Sequence, residues 1–286
     1  MLFYFLYRFG QFIALHLPLR FAYAFAVFAS DLHGFFADQD RIQVTENLKV
    51  IFPERSDREI KRIRIKMYRN FAKYLVDFFR FQNVDRDYIN KKIRLENIDY
   101  FNQALKHGKG VVVLTAHIGN WELGGIVIAL LGFPFWAVAL THKDSRVNRF
   151  FNHQRESKGV KVIPLENAVR MSLSALRHRE MLALLGDRDF TEGGLEIDFL
   201  GKKTLIPDGP AILSLKTEAP IVPGFMLRNA DDTWTLKIEK PIYPESSGNG
   251  KQDVLNLINS YKVIIEDYIR KYPDQWYMFK RFWRNA

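Results

Sequence analysis

The sequence predicts an α/β protein: a mostly parallel sheet flanked by helices, preceded by a hydrophobic, membrane-associated helical segment. Three observations lead there. From residue 108 onward, short apolar runs of strand length alternate with helix-length segments, the pattern that right-handed crossovers turn into a parallel sheet covered on both faces. Residues 58–80 repeat apolar side chains at spacings of three and four, as one face of an amphipathic helix does. Residues 1–36 are almost wholly apolar and aromatic.

That first stretch runs from Phe3-Tyr4-Phe5 through Phe21–Phe28 to Phe35-Phe36, interrupted by Arg8, His16, Arg20 and Asp31. Its longest uncharged run falls short of the ~20 residues of a clean span. No small-residue cleavage site follows it, which disfavours a signal peptide. A helix lying in the membrane interface, or a marginal span over 11–36 with Arg20 snorkelling, is expected; a helical hairpin buried in the core is the plainer alternative. In the helix over 58–80, Ile60, Ile63, Met67, Phe71, Leu75 and Phe78 form the apolar stripe. Arg58, Lys61, Arg62, Arg64, Lys66, Arg69 and Lys73 surround it. These cations suit either a solvated face or anionic headgroups, each contributing about 1 kcal/mol near such a surface.

Further along, strands are expected at Gly110–Thr115, Phe135–Leu140, Val160–Ile163, Met181–Leu185, Ile221–Leu227 and Trp234–Ile238. Helices are expected after Asn120 to about Leu131, over 146–157, 167–178 and 211–216, and over 252–271 as a closing element. No repeat and no Pro-, Gly- or Ser-rich linker divides the chain. Residues 1–95 therefore read as a hydrophobic and amphipathic helical region and 96–286 as one continuous catalytic unit.

The chain has 286 residues, a net charge of +10 and no cysteine. Thiolate nucleophiles, disulfides and cysteine-held zinc are excluded. The positive charge calls for an anionic partner, and without a nucleic-acid module the aromatic, basic stretches favour a membrane surface.

Ligands of open α/β sheets bind beyond the carboxyl ends of the strands, where His117 follows its strand. Glu122 comes five residues later. On an unbroken helix the two side chains would diverge by about 140°, so they can meet only if the chain turns at Gly119, with Asn120 capping the helix that follows. Glu122 would then orient the His117 ring while its other nitrogen takes a hydroxyl proton, a triad's logic without a protein nucleophile. The spacing alone more often marks a structural pair than a catalytic one.

Several blocks carry a family resemblance. His117-Ile118-Gly119-Asn120-Trp121-Glu122 resembles the H-x4-D/E motif of the bacterial lipid A biosynthesis acyltransferases, whose relatives acylate phosphatidylinositol mannosides and other glycolipids. Asn47–Glu54, Arg155-Glu156-Ser157-Lys158-Gly159, Gly186-Asp187-Arg188-Asp189 and Pro273-Asp274-Gln275-Trp276 resemble further elements of that family, in its order. The resemblance implies an O-acyltransferase with His117 as general base and Glu122 as its partner. Asn120, Arg155, Asp187 and Asp189 would bind substrate, Arg155 through its fork of donors to a phosphate or oxyanion. Backbone N–H groups near Gly119 would assist the oxyanion.

It implies no tightly bound cofactor and no metal, an acyl carrier protein or coenzyme A thioester as donor, and a glycolipid acceptor on an anionic membrane. Lipid A or a precursor is the expected acceptor; a phosphatidylinositol mannoside, another glycolipid or a lysophospholipid is the alternative. The expected place is the cytoplasmic face of the bacterial inner membrane. Arg188 matches the mannoside branch, and Lys280-Arg281-Phe282 departs from the His-Arg-Arg usual near the carboxyl terminus of the best-known members. His142-Lys143 and the Pro207–Pro210 turn could face the same opening. The aromatic, basic tail of Trp276, Phe279, Phe282 and Trp283 with Lys280, Arg281 and Arg284 suits either an interface or the core. Two rivals remain: a metal-dependent phosphoesterase using His117, His142, Asp187 and Asp189, and a non-enzymatic membrane scaffold.

Overall fold

The computed structural model describes residues 2–189 and 193–283. Its helices, numbered in chain order, are α1 (Leu2–His16), α2 (Leu19–Phe36), α3 (Asp38–Ile51), α4 (Asp57–Phe79), α5 (Arg86–Lys92), α6 (Asp99–Lys106), α7 (Trp121–Leu130), α8 (Ser145–Glu156), α9 (Ala168–Arg177), α10 (Gly209–Thr217) and α11 (Gly250–Lys271). The strands are β1 (Ile93–Glu96), β2 (Val111–Thr115), β3 (Phe135–Ala139), β4 (Lys161–Pro164), β5 (Met181–Leu185), β6 (Leu195–Phe199), β7 (Lys202–Ile206), β8 (Ile221–Arg228) and β9 (Trp234–Ile238).

Seven strands form one sheet in the order β1-β9-β8-β2-β5-β3-β4. The five from β8 to β4 are mutually parallel, and β9 turns back antiparallel to β8. The expected mostly parallel sheet is thus present. Three features escaped the sequence reading. β1, which straddles the expected boundary near residue 95, pairs with β9 at the sheet edge. α6 is too short, at 8 residues, to show a repeating apolar stripe, and β6 and β7 form a separate antiparallel hairpin.

Helices cover both faces. In β2, Val112 and Leu114 join one core with α10, α11 and the first half of α4, while Val111 and Val113 join the other with α6 and α7. This two-sided burial explains the unbroken apolar run in the sequence. After β2 the chain leaves through α7 on one face; after β5 it leaves through the hairpin and α10 on the other. Adjacent strands whose connections part in this way open a crevice at their carboxyl ends.

The apolar amino terminus forms α1 and α2, which pack on α4. No helix among the described residues is long and apolar enough to cross a membrane, so the marginal span over 11–36 is not what the chain builds. Pro18 separates the two helices and α2 ends before Ala37, too early for a span. Ala14, Ala22 and Tyr23 are buried, while Phe9, Phe28 and Phe36 are 62%, 66% and 80% exposed. α4 starts at a capping box in which Ser56 and Glu59 satisfy each other's backbone N–H groups.

Candidate active site

β2 and β5 lie side by side with Thr115 opposite Leu185. Two residues beyond each stand His117 and Asp187. This shared register brings the pair together: His117 Nδ1 lies 2.9 Å from Asp187 Oδ1. The other carboxylate oxygen accepts the His117 backbone N–H at 3.1 Å and the Trp276 indole N–H at 2.9 Å. Asp187 is fully buried. Burial alone would raise its pKa, but the adjacent His117 and these hydrogen bonds outweigh it and hold the carboxyl below its usual value.

The carboxylate at His117 Nδ1 is thus Asp187, where the sequence suggested Glu122. Glu122 sits in the first turn of α7, and both its oxygens receive Arg155 of α8, from Nε at 2.7 Å and Nη2 at 2.6 Å. Arg155 Nη1 donates to Asn152. The guanidinium fork thus meets a protein carboxylate, where the sequence suggested a phosphate or oxyanion. Burial opposes the Arg155 charge, yet the Glu122 carboxylate more than compensates and raises its pKa.

Gly119 does turn the chain, at φ +63. A Cβ there would lie 1.9 Å from the Met226 carbonyl oxygen, so only glycine fits this close approach. The turn commits its own donors, however. Ile118, Gly119 and Asn120 give their N–H groups to the carbonyls of Ala116, Gln275 and Met226. These three N–H groups are therefore committed to the fold.

Asn120 is completely buried, and its Oδ1 caps α7 through the Leu123 N–H at 2.9 Å. The structure thus gives its Oδ1 the capping role that the sequence suggested, while its Nδ2 is buried without a hydrogen-bond partner. Asp189 accepts the Gly194 N–H at 2.9 Å, holding the start of the hairpin. Asp208, at the head of α10, has its pKa raised by burial, with the Asp189 charge adding to the effect.

Aromatic side chains that sequence reasoning did not assign to the site frame it. The Trp121 ring meets His117 edge-on at 5.1 Å and stacks on Tyr74 of α4 at 4.9 Å. Ile118 bridges to Trp276, and Tyr277 N–H donates to the His117 carbonyl at 2.8 Å. The Pro273–Trp276 block therefore acts as a clasp: Asp274 accepts from Asn70, Gln275 bonds the Arg228 backbone at both N and O, and Trp276 holds Asp187. The run beginning at Asn47 serves the same end, since Asn47 bonds Met278, Lys280 and Phe282. Trp276 and Trp283 are buried, so this part of the tail is core rather than interface; Arg284 lies outside the described residues.

His142 is half-buried and stacks near Phe151; burial, with the Arg155 charge, lowers its pKa. Lys143 is exposed. No three His, Asp or Glu side chains gather as metal ligands do among the described residues, so the set His117, His142, Asp187 and Asp189 is not assembled as a metal centre.

The family description "Bacterial lipid A biosynthesis acyltransferase" matches residues 1–285 of this chain. The chain belongs to that family. Among its relatives, the phosphatidylinositol mannoside acyltransferase of Mycolicibacterium smegmatis is 30% identical over 75% of this chain and 70% of its own length. The lipid A biosynthesis acyltransferase of Haemophilus influenzae is 23% identical over 85% and 75%. The lipid A biosynthesis palmitoleoyltransferase of Escherichia coli is 24% identical over 83% and 76%. In this acyltransferase family member the His117–Asp187 pair stands at the carboxyl ends of β2 and β5.

Proposed function

We propose that the protein transfers a fatty acyl chain from an acyl carrier protein or coenzyme A thioester to a hydroxyl of a phosphorylated glycolipid. The observation that carries this reading is the His117–Asp187 couple at the crevice. Donation from Nδ1–H to a buried carboxylate puts the ring's lone pair on Nε2 and stabilises the imidazolium that forms when a proton arrives. His117 takes the acceptor's hydroxyl proton as that oxygen bonds to the thioester carbonyl carbon. The tetrahedral adduct then collapses, the C–S bond breaks, and the imidazolium returns the proton to the departing thiolate. Asp187 keeps the tautomer, and Trp276 keeps Asp187.

Glu122 and Arg155 act as a positioning pair in this scheme. They brace the first turn of α7 against α8 and so fix Trp121 beside the His117 ring. The names of the relatives support two acceptors, lipid A and phosphatidylinositol mannoside, both phosphorylated glycolipids.

The proposed place is the cytoplasmic face of the inner membrane. Support comes from the exposed Phe5, Phe9, Phe12, Phe21, Phe25 and Phe28 of α1 and α2, since clustered exposed apolar side chains mark interaction sites. Arg58, Lys61 and Arg62 at the start of α4 are exposed as well and contribute positive charge to the molecule's surface. Lipid profiling by mass spectrometry, with and without the gene product and with His117→Ala, tests the reading. A lipid that gains an acyl chain only with the intact histidine is expected; its absence refutes acyl transfer.

A further inference from the structure

α1, α2 and α4 do not close fully on one another. They enclose a cavity of about 400 Å³ with an almost wholly apolar lining. Ala22, Ala26 and Ala29 of α2 share one stripe of that wall, opposite Gly10 of α1 and Ala72 of α4. Small side chains here hold space open that larger ones would fill. Phe9 and Phe25, also in the lining, are 62% and 54% exposed, so the cavity is continuous with the apolar outer face.

Towards the carboxyl end of α2 the lining turns polar, with Ser30, His33 and Tyr68. The Tyr68 hydroxyl is buried and has no hydrogen-bond partner, an expensive state for a polar group. Burial pushes its pKa up to about 12. One turn earlier on the same face of α4 stands Arg64, whose guanidinium donates to the Arg41 carbonyl and to Thr45 Oγ1 at 2.8 Å. Both partners are neutral, and Arg64 forms no ion pair among the described residues. Arg64 does not itself line the cavity, and Asp40 and Arg41 also act on the Tyr68 hydroxyl; a half-buried cation one turn from an unused hydroxyl, close to the polar end of an apolar slot, matches a phosphate ester attached to a hydrocarbon chain.

The slot is separate from the reaction site. Tyr74, which stacks on Trp121 beside His117, leaves α4 on a different face from the cavity residues Leu75 and Ala72. Phe71 is the shared wall, lining the cavity and stacking on Tyr74 at 5.4 Å.

We propose that this cavity binds one acyl chain of a membrane phospholipid, whose phosphate is received by Arg64 and the Tyr68 hydroxyl. The proposal rests on the membrane-surface reading above and adds to it a specific lipid seat apart from the donor and acceptor. Such a lipid would wedge between α1 and α2 and tie their packing to the anionic content of the bilayer.

The test uses the full chain in nanodiscs of phosphatidylglycerol and phosphatidylcholine in equal parts, with lipid retained after release counted by native mass spectrometry. One phosphatidylglycerol per chain is expected, favoured over phosphatidylcholine by about fivefold or more, on the order of 1 kcal/mol. Ala26→Phe, which fills the slot, should lower retention about tenfold while the protein still sediments with phosphatidylglycerol vesicles. Ala29→Leu, at a more exposed point of the same wall, should repeat the loss with an unchanged melting temperature. Arg64→Gln should erase the preference for phosphatidylglycerol, and Arg64→Lys should restore part of it. His117→Ala should retain lipid as the wild type does.

Retention that is unaffected by both wall variants, or that is lost in His117→Ala, overturns the proposal. In the second case the lipid occupies the reaction site. Wild-type protein that fails to sediment with vesicles overturns the membrane-surface reading as well, whereas sedimentation without a retained lipid overturns the seat alone.

Discussion

Arg155 reaches across from α8 to grip both oxygens of Glu122, with side chains only 11% and 14% exposed. The two charges neutralise each other beside a histidine whose own carboxylate partner comes from another strand. Removing one member leaves the other charged and poorly solvated, at a cost of about 3–5 kcal/mol. Glu122→Gln and Arg155→Met should each lose stability of that order in denaturant titrations. Glu122→Leu combined with Arg155→Leu should recover much of it. A double variant as unstable as the sum of the singles would show that the pair is not coupled.

Asp187→Asn keeps the shape but removes the charge that selects the His117 tautomer. Acyl transfer should fall by about 10³–10⁴-fold, as for the equivalent change in a serine protease triad. The pH dependence has a definite sign. The folded pKa lies below the unfolded value of about 3.9, so the stabilisation is present above that pH. It is lost as pH falls through the lower folded value. Acid-unfolding curves of Asp187→Asn should therefore be flatter than wild type below about pH 4.

Gly119→Ala meets two obstacles: a left-handed backbone and a carbonyl oxygen 1.9 Å from the new carbon. The backbone term alone costs about 1–2 kcal/mol, and relieving the clash must move β8 or the turn that carries His117. Thermal melts should show a loss of more than about 2 kcal/mol, with activity lost even where the protein still folds.

Asp77 of α4 sits buried among Tyr23 of α2, which donates to it at 2.5 Å, and Arg228 of β8. This network ties the amino-terminal helices to the sheet. Tyr23→Phe should cost about 1–3 kcal/mol, and Asp77→Asn more, because Arg228 would lose its buried counter-charge. Hydrogen exchange should rise first in residues 19–36; uniform change across the sheet would argue against a local tether.

The exposed phenylalanines of α1 and α2 are expected to enter the bilayer surface. Replacing Phe9 and Phe28 together by serine should weaken vesicle partitioning by at least about tenfold, given ~1.5–3 kcal/mol for each fully buried side chain. Folding stability should stay close to wild type, since both rings are mostly exposed.

Much of this protein is readable in one dimension. The elements from β2 to α11, apart from the β6–β7 hairpin, follow from apolar periodicity and turn residues, because those signals are local. Gly119 as a turn, Asn120 as a cap and the place of His117 beyond a strand are local as well, and the family blocks identify the chemistry. The partner of His117 is not local. β2 and β5 are 70 residues apart at His117 and Asp187, and only the return of β5 between β2 and β3 sets Thr115 against Leu185. The same holds for Arg155, whose fork suits a phosphate in sequence but meets Glu122 once α8 lies against α7. Local sequence determined which elements form and which residues have chemistry to offer; strand order and helix packing decided which of those residues meet.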